Sequence, residues 1–478
     1  MAGALVVSSA LVPFGPKAAS AATIPGLDPA FGDAGLLFSP TMQTLPALAA
    51  TPDGGVLIGA FFDGTSSIRR YTPNGTLDPT FAPASTTPGS ISASLGSGLE
   101  IDGAGRIYAA GPTTFDPKIV RYLPDGQVDP TFDLPPWSDS FSRFEVLPNG
   151  DVVAMSTTSV DSTLVRFSSD GHLDTSFNPA GVNPGTVELT TLSATDFAVR
   201  PDGSVIVVGQ SANHGAIARV SSSGTIDSSF GAQAAVDQLA VVWNVAVDNA
   251  NRVVLAVPVS DGEQTQLIRL TPDGLVDASF GASGRITVAA RGAWPGDLVV
   301  DASGRIVLGG NDPNVDAAVF RFLADGSPDP TLSGGGVPNG RLRVPVGERS
   351  NVSALFPLPD GRLVIGGVES ISLTEQRGFV ARLLGTATAT SGGGFNPVAP
   401  NRILDTRNGI GAPASKLVPG SRIHLKVTGT PDIPTTGVAA VTMNVTVSSA
   451  NSSGYVTVFP CNIEEPVVSN LNYAAGQD

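Results

Sequence analysis

The sequence of 478 residues contains very little cysteine, histidine and lysine. Its single cysteine, Cys461, excludes an internal disulfide, and its three histidines exclude most metal cages built from His and Cys. Lysine occurs only four times, and 27 basic against 42 acidic residues give a formal net charge of −15. A chain this acidic is a poor candidate for binding nucleic acid or an anionic membrane.

Charged residues make up only 14% of the chain, whereas glycine (56) and proline (39) are abundant. With 41% apolar residues and no collagen-like period, this composition favours a β protein dense in turns over helices or disorder. No stretch reaches the roughly 18 uninterrupted apolar residues that a membrane-spanning helix needs.

The N-terminus has the pattern of an export signal. Residues 2–14 are mostly apolar, and Ala19-Ser20-Ala21 follows as a small-x-small cleavage site. We therefore predict a signal peptide over residues 1–23. No basic residue precedes Lys17, so the alternatives are a start upstream of Met1 or a buried N-terminal strand.

The most informative feature is a repeated segment in which Asp precedes Phe by three residues. The segments begin at Asp28, Asp78, Asp129, Asp174, Asp227, Asp277 and, with Leu replacing Phe, Asp329. Successive spacings are 50, 51, 45, 53, 50 and 52 residues. A period near 50 is typical of a propeller or solenoid built from one supersecondary unit.

Each unit has the same internal order of turns and strands. An Asp-Gly-type turn leads into an apolar strand, a second strand ends in Arg, and a second turn leads to the Asp-x-x-Phe segment. Four short strands per unit define a propeller blade, and seven units predict an all-β, seven-bladed β-propeller over residues 24–385. The last unit lacks an Asp-x-x-Phe segment while the first begins with one, so the N-terminal strand is expected to complete the seventh blade.

The repeated Arg and Asp invite an active-site interpretation. Groups present in every blade are better explained as structural, because a catalytic site in a ring is normally asymmetric. We expect each Arg to pair with its Asp or cap the intervening turn, and each Phe to fill the gap between blades. The arginines are Arg70, Arg121, Arg166, Arg219, Arg269, Arg321 and Arg382, and the aspartates are Asp78, Asp129, Asp174, Asp227 and Asp277.

These units resemble the delta-60 repeat of secreted bacterial proteins. The shared residues are Pro-Asp-Gly before an apolar strand, Arg ending the next strand, and Asp-x-x-Phe-Gly after the turn, as in residues 227–231 and 277–281. The resemblance covers about residues 27–385. It implies a propeller-like fold and no common reaction.

After the propeller, the small-residue run 386–394 indicates a flexible linker. Alternating Val and Thr in residues 423–428, 439–447 and 454–459 then predict a small β-sandwich-like module over residues 395–478. Within it, Asp405 and Arg407 either form a buried, neutralised turn, which we favour, or bind a ligand.

This module resembles one that is appended to many surface proteins of GC-rich bacteria. The matching patterns are Pro-x-Arg-Ile-Leu-Asp-Thr-Arg, Ala-Val-x-x-Asn-Val-Thr and Ser-Asn-Leu-Asn-Tyr. Members of that family continue beyond Gly-Gln, often with a second Cys. The resemblance therefore implies a truncated module here, with Cys461 as half of a disulfide whose partner is absent from this chain.

Recognised catalytic motifs are missing: the sequence contains no Gly-x-Ser-x-Gly elbow, phosphate loop, Cys-x-x-Cys pair or His-Glu-x-x-His. We predict no catalytic residues and no cofactor. A weak calcium-like pattern occurs in residues 312–316, where Asp312, Asn314 and Asp316 offer oxygen ligands at alternate positions. The required Gly and bidentate Glu are missing, so a polar loop is the preferred interpretation.

Propeller geometry gathers certain loops on one face, which predicts a working surface. Two tryptophans in Pro-flanked loops above acidic loops are suited to stack on sugars or to hold a cationic partner. The alternative is that the loops are polar because they are exposed to solvent, and that both tryptophans fold back on their blades. The candidate ligand-binding residues are Trp137, Trp294, Asp116, Asp261, Asp312 and Asp316.

Taken together, these features predict an exported or cell-surface, non-enzymatic binding protein of bacterial type. Its partner would be an extracellular glycan or protein, and a monomer is expected. One competing hypothesis is a polysaccharide hydrolase or lyase that uses two acidic loop residues about 5 to 9.5 Å apart. Another is a purely structural surface spacer. Acids clustered near the ring axis would favour the enzyme, whereas dispersed acids beside an exposed aromatic platform would favour binding.

Overall fold

A computed structural model describes residues 26–384 and four stretches of the C-terminal region, 401–430, 433, 444–458 and 471–476. The range 26–384 has gaps at 40–46, 63, 94, 96–97, 112–118, 136, 138–139, 159–160, 213, 232, 240, 260–263, 291–295, 313–315, 333–339, 345, 348 and 371–375. The chain divides into two compact units, Met1–Thr386 and Ala387–Asp478. The signal peptide predicted for residues 1–23 lies outside the described residues.

The first unit is built from short antiparallel strands. In chain order they are β1 (Leu36–Ser39), β2 (Ala47–Ala50), β3 (Val56–Phe62), β4 (Thr65–Tyr71), β5 (Ser90–Ser92), β6 (Gly98–Ile101), β7 (Ile107–Ala110), β8 (Ile119–Tyr122), β9 (Phe141–Val146), β10 (Val152–Thr157), β11 (Ser162–Phe167), β12 (Thr186–Leu189), β13 (Ser193–Val199), β14 (Val205–Ser211), β15 (His214–Val220), β16 (Asn244–Val247), β17 (Val253–Pro258), β18 (Thr265–Leu270), β19 (Arg285–Val288), β20 (Asp297–Val300), β21 (Ile306–Asn311), β22 (Ala317–Phe322), β23 (Arg341–Arg343), β24 (Ser350–Pro357), β25 (Leu363–Ser370) and β26 (Gln376–Leu383). One helical turn, α1 (Gln233–Val236), interrupts them.

These strands form seven sheets, which we number as blades 1 to 7 from the sheet of β2–β5 to the sheet of β24, β25, β26 and β1. The first strand of each blade contacts that of the next, and β24 of blade 7 returns to β2 of blade 1. The chain is therefore a closed, seven-bladed all-β propeller, as predicted.

The second strand of each blade is a continuous apolar run because both of its faces are covered by neighbouring blades. In β3, β10 and β25 the first five residues are all buried. Each core cluster accordingly combines residues of adjacent blades; Phe177 of blade 3, for example, packs with Val207 of blade 4. The ring is thus held by contacts between blades as well as within them.

The N-terminal strand closes the ring, which confirms the predicted topology. Strand β1 pairs antiparallel with β26, with Leu36 opposite Ala381. The main-chain N–H of Asp28 also donates to the carbonyl oxygen of Arg382 at 2.7 Å. Blade 7 is therefore made from both ends of the propeller sequence, and β26 is not left as an unpaired edge.

Two blades differ from the predicted four strands. Within the described residues, blade 2 has only β6, β7 and β8, and blade 4 has only β13, β14 and β15. In blade 2 the next segment carries Pro135 and Pro136, which lack the N–H that a strand must donate. In blade 4 the helical turn α1 covers the third strand instead, and the N–H of Gly215 donates to the carbonyl oxygen of Leu239.

The second unit contains a two-stranded sheet within its described residues. Its strands are β27 (Gly454–Val456) and β28 (Leu471–Tyr473), which pair antiparallel. Described residues 421–428 contain no strand, which differs from the prediction for residues 423–428. The predicted β-sandwich is not shown by these elements, and Cys461 lies outside the described residues.

One predicted feature of the second unit is present, the neutralised turn at Asp405. Its carboxylate is buried and lies 2.9 Å from Nη2 of Arg407 and 2.7 Å from Nη1 of Arg402. Hydrogen bonds from Arg407 lower the pKa of Asp405 well below its usual value. Among the described residues of the whole chain, no helix is long and apolar enough to cross a membrane.

Candidate functional site

The repeated Arg and Asp form an ion pair at the outer side of every blade. Each Arg contacts the Asp eight residues later, and in blade 7 Arg382 contacts Asp28, with Nε to Oδ2 distances of 2.6 to 3.2 Å. The other carboxylate oxygen caps the turn; Oδ1 of Asp129, for example, accepts from the N–H of Thr131 at 2.9 Å. We call each such pair with its capped turn a latch.

The latches also join neighbouring blades. Nη1 of Arg121 donates to the carbonyl oxygen of Ser169 in the next blade at 2.6 Å. The same guanidinium lies 4.7 Å from the ring centre of Phe132, within the range of a cation–π contact. Equivalent Arg–Phe contacts occur in blades 3, 4, 5 and 7. The repeated residues therefore lie in the seams between blades.

A glycine in the second turn makes this close approach between blades feasible. Gly126 has a φ of +88°, and a Cβ there would lie 3.0 Å from the Phe81 ring of the preceding blade. A larger residue would be strained in that conformation and would push the blades apart.

Trp137, one of the two tryptophans of the predicted aromatic platform, packs against the core of its blade. Its indole is half-buried and stacks on Phe141 with ring centres 5.9 Å apart, while Phe167 contacts it edge-on. The flanking prolines indicated an exposed loop, but these two phenylalanines draw the ring into the core of blades 2 and 3. Trp294, Asp116 and Asp261 lie outside the described residues.

Asp312 and Asp316, two further candidate ligand-binding residues, form ion pairs with one arginine. Asp312 is fully buried, and its Oδ2 lies 2.7 Å from Nη2 of Arg343, whose Nη1 lies 3.1 Å from Asp316. The hydrogen bond to Asp312 raises the pKa of Arg343. Because this arginine already neutralises both carboxylates, the pair is poorly suited to calcium.

A different group of ionisable residues lies at the centre of the ring, on the innermost strands. It comprises Glu100 on β6, Arg143 and Glu145 on β9, Asp196 on β13 and Asp297 on β20. Nε of Arg143 lies 2.9 Å from Oδ1 of Asp196. The charge of Asp297 on blade 6 also contributes to the raised pKa of Glu100 on blade 2, although these blades are not neighbours. We call these five residues the channel cluster.

Three carboxylates of the channel cluster are held by the blade that follows. Glu145 accepts from the N–H of Val199 at 3.0 Å, and Asp196 accepts from that of Val245 at 2.9 Å. Asp297 accepts from the N–H of Leu355 at 2.9 Å. Their positions are therefore fixed by the main chain of the ring.

Burial dominates the electrostatics of the channel cluster. Burial, reinforced by Glu145 and Asp297, raises the pKa of Glu100 to about 8, and burial raises that of Asp196 to about 6 despite Arg143. Burial likewise raises the pKa values of Glu145 and Asp297. The Arg143 side chain is 43% exposed, as expected for a group that lines a channel.

The channel cluster is strongly asymmetric. The first turn of each blade has Gly, or in blade 5 Asn, as its fourth residue, and we compare the position seven residues before it. Blades 3 to 6 carry Arg143, Asp196, Asn244 and Asp297 at this position. Blades 7, 1 and 2 carry only Ala354, Ala47 and Gly98 there. A polar arc thus faces a side lined by small residues. In the described part of the chain, no three His, Cys, Asp or Glu side chains lie close enough to hold a metal ion.

The channel cluster was not predicted from the sequence, because the candidate acids were taken from the loops, whereas these five residues lie on the innermost strands. The available signal was the position itself: once the seven units are aligned on their first turn, this strand position varies in charge from blade to blade. A position that differs between repeats of a ring is where a non-structural role is expected.

Comparison with known proteins agrees with the fold. Five segments match the family model described as "Domain of unknown function (DUF5122) beta-propeller", at residues 51–81, 105–132, 147–177, 200–230 and 302–332. Each matched segment ends on the Asp-x-x-Phe, or in blade 6 Asp-x-x-Leu, of its blade. The chain is a β-propeller repeat protein. No curated protein matches it.

Solved structures with a similar fold include regucalcin of Agrobacterium tumefaciens, described as a calcium-binding protein, at 14% identity and a TM-score of 0.35 over 61% of this chain and 91% of that one. A putative gluconolactonase has 14% identity and a TM-score of 0.33 over 75% and 98% of the two chains. YCF48 bound to D1 peptide has 12% identity and a TM-score of 0.43 over 76% and 97%. These similarities concern the fold alone.

Proposed function

We propose that this protein is a non-enzymatic binding protein that engages a glycan or protein ligand over its central channel. The observation that carries the proposal is the asymmetry of the channel cluster within an otherwise repeated ring. Residues that hold blades together recur in every blade, whereas Glu100, Arg143 and Asp297 do not. Positions that differ between blades are not needed to hold the blades together, so they are available for ligand recognition.

The chemistry of the channel cluster suits a ligand rich in hydroxyl or ammonium groups. Carboxylates accept hydrogen bonds from both, and Arg143 donates to ring or peptide oxygens. Because Glu145, Asp196 and Asp297 are anchored by main-chain N–H groups, little side-chain entropy is lost when a ligand binds. The proposed function needs no cofactor.

The proposal includes the location of the protein and its finer family membership. We propose that residues 1–23 direct export and that the protein acts outside the cell or at its surface as a monomer. The propeller would be of the delta-60 type, and residues 395–478 would form a β-sandwich-like surface module in which Cys461 is half of a disulfide. The support for these points is the sequence patterns themselves.

The test is a glycan array and polysaccharide pull-down with the full chain and with Glu100→Gln/Glu145→Gln. We expect binding that the double variant weakens at least tenfold, because Glu145→Gln removes a charged hydrogen-bond acceptor and Glu100→Gln replaces a titratable carboxyl at the channel by an amide. The matched control is Glu188→Gln, an exposed glutamate on β12, which should bind as the wild type does. Equal binding by the double variant would refute the channel as the recognition site.

A polysaccharide hydrolase or lyase is the second candidate, and one observation favours it. Burial raises the pKa of Glu100 to about 8, the direction expected of a proton donor, and the charges of Glu145 and Asp297 contribute to this shift. A proton donor beside an ionised carboxylate is the pairing that glycoside hydrolysis uses.

The array experiment also separates the two candidates. Polysaccharides retained on the protein are incubated at neutral pH, and reducing ends and unsaturated sugars are assayed over several days. Product that forms with the wild type but not with Glu100→Gln would establish the enzyme. Retention without product supports the binding protein, and neither retention nor product would contradict both the enzyme and a glycan ligand.

A further inference from the structure

A groove of about 200 Å³ lies at the seam between blades 1 and 2, separate from the channel. Its polar wall is formed by Asp53 and Arg70, and its apolar walls include Ile101 and Ile107 of blade 2. The side chain of Asp53 is 54% exposed, so an incoming group has access to it. We call this cavity the seam groove.

The first turn of blade 1 lacks an arginine, which leaves space for the seam groove; blade 3 lacks one too, but Leu147 at the first position of its turn packs against the core there. In blades 2, 4, 5, 6 and 7 an arginine stands at the first or fifth position of this turn, and these are Arg106, Arg200, Arg252, Arg305 and Arg362. In blade 1 the same positions are Thr51 and Gly55. No side chain of that size is present to fill the space against blade 2.

Blade 7 shows the complete arrangement with the same turn sequence, Pro-Asp-Gly. Arg362 lies 2.9 Å from Asp28 and 2.7 Å from Asp360, and the latch residue Arg382 also lies 2.9 Å from Asp28. Two guanidinium groups therefore neutralise two carboxylates.

Blade 1 has the two corresponding carboxylates but one guanidinium. Arg70 lies 2.7 Å from Asp53 and 3.2 Å from its latch partner Asp78. Its hydrogen bond to the carbonyl oxygen of Pro124 in the next blade is 3.4 Å long, whereas that from Arg382 to Pro73 is 2.6 Å. In blade 1, Arg70 alone therefore makes the ion pairs that Arg362 and Arg382 make in blade 7. The two carboxylates of blade 1 are paired with one guanidinium, so one negative charge is not neutralised.

The leftover charge is available at neutral pH. Burial acts to raise the pKa of Asp53, but hydrogen bonds from Thr51 and Gly55 and the pair with Arg70 outweigh it and lower that pKa. A half-exposed, ionised carboxylate beside apolar walls suits a cation carried on an aliphatic stem.

We propose that the seam groove binds an arginine side chain of a protein partner, which takes the place that Arg362 has in blade 7. The guanidinium contacts Asp53, and the aliphatic stem lies on Ile101 and Ile107. The ligand class is inferred from the ring itself, since five blades supply an arginine at this turn from their own chain.

The experiment uses the full chain and Nα-acetyl-arginine amide, with the neutral citrulline analogue as its isosteric control. Binding is followed by calorimetry or by NMR line broadening of the probe. We expect millimolar binding of the arginine probe that is at least fivefold tighter than that of the citrulline probe. Equal binding of the two probes would overturn the proposal.

Two variants locate the site. Asp53→Asn should weaken the arginine probe at least fivefold, whereas Asp202→Asn, at the same turn position of blade 4 with a 49% exposed side chain, should not. Thr51→Arg should abolish binding by filling the groove from within, as Arg200 is accommodated at that turn position in blade 4. Unchanged binding by Asp53→Asn or by a folded Thr51→Arg would contradict the assignment.

Discussion

The latches and the channel cluster lie in the same ring, yet the pKa values of Asp129 in a latch and of Glu100 in the channel cluster shift in opposite directions. For Asp129 of a latch, burial alone would raise the pKa, but the hydrogen bonds from Thr131 and Arg121 outweigh it and lower the pKa. For Glu100 and Asp297 burial prevails, and the pKa is raised. The difference is that each latch has its own arginine, whereas four channel carboxylates share Arg143.

This contrast separates what stabilises the ring from what it can present to a ligand. Latch aspartates stabilise the fold when they are ionised, and they recur in every blade. Channel carboxylates cost stability when they are ionised, and they occur on some blades only. Ionisable groups kept at a cost to stability are characteristic of functional sites. The following predictions challenge or refine this division.

The largest effect is expected from removal of the closing strand. Deletion of residues 1–39 removes Asp28 and β1, so Arg382 is left as a buried, unpaired charge and β26 becomes an open edge. We expect aggregation or a thermal transition lowered by more than 10 °C, measured by scattering and circular dichroism. Deletion of residues 1–25 is the control, and a monomer of wild-type stability after the longer deletion would contradict the closed ring.

A smaller effect should distinguish buried from exposed latches. Arg121→Ala leaves the buried Asp129 uncompensated and should cost about 3–5 kcal/mol of unfolding free energy. Arg219→Ala, whose pair with Asp227 is partly exposed at 21% and 24%, should cost about 1 kcal/mol. Urea denaturation gives both values, and equal losses would show that burial does not set the strength of a latch.

The free energy of unfolding should fall both at low pH and at high pH, for two different reasons. Latch aspartates with lowered pKa values, among them Asp28 and Asp129, contribute stability above their ordinary value of 3.8 and lose it as the pH falls. The raised pKa of Glu100 acts in the opposite sense, since stability is lost as the pH rises from 4.5 towards 8. We expect the urea midpoint to be highest in the mildly acidic range. A midpoint that keeps rising up to pH 8 would contradict the loss of stability that we assign to Glu100.

The ring and its latches were predictable from the sequence because they repeat. Seven copies of one pattern define the blades, and the constant spacing of eight residues between Arg121 and Asp129, or Arg166 and Asp174, indicated the pairs. The contacts to the next blade, such as Arg121 with the carbonyl oxygen of Ser169, were not predictable, because they depend on how two blades are juxtaposed.

The contacts of the candidate ligand-binding residues could not be predicted from the sequence, for physical reasons. The prolines beside Trp137 indicated an exposed loop, but distant phenylalanines on β9 and β11 pack on its ring. Asp312 had the spacing of a calcium ligand, yet Arg343, 31 residues later, pairs with it. The channel cluster joins residues from blades 2, 3, 4 and 6, and their approach at the axis follows from ring closure alone.

The most direct test of the central claim is the stability of Glu100→Gln at two pH values. The wild type and the variant are unfolded in urea at pH 5.5 and pH 8.5, with Asp129→Asn as the latch counterpart. If Glu100 is kept at a cost, the stability of the variant relative to that of the wild type should rise by roughly 1–3 kcal/mol between pH 5.5 and pH 8.5, because only the wild type loses stability through this carboxyl over that range. Asp129→Asn should be less stable than the wild type at both. A Glu100→Gln variant that is less stable at pH 8.5 would show that the channel cluster holds the ring together as the latches do, and would contradict the account.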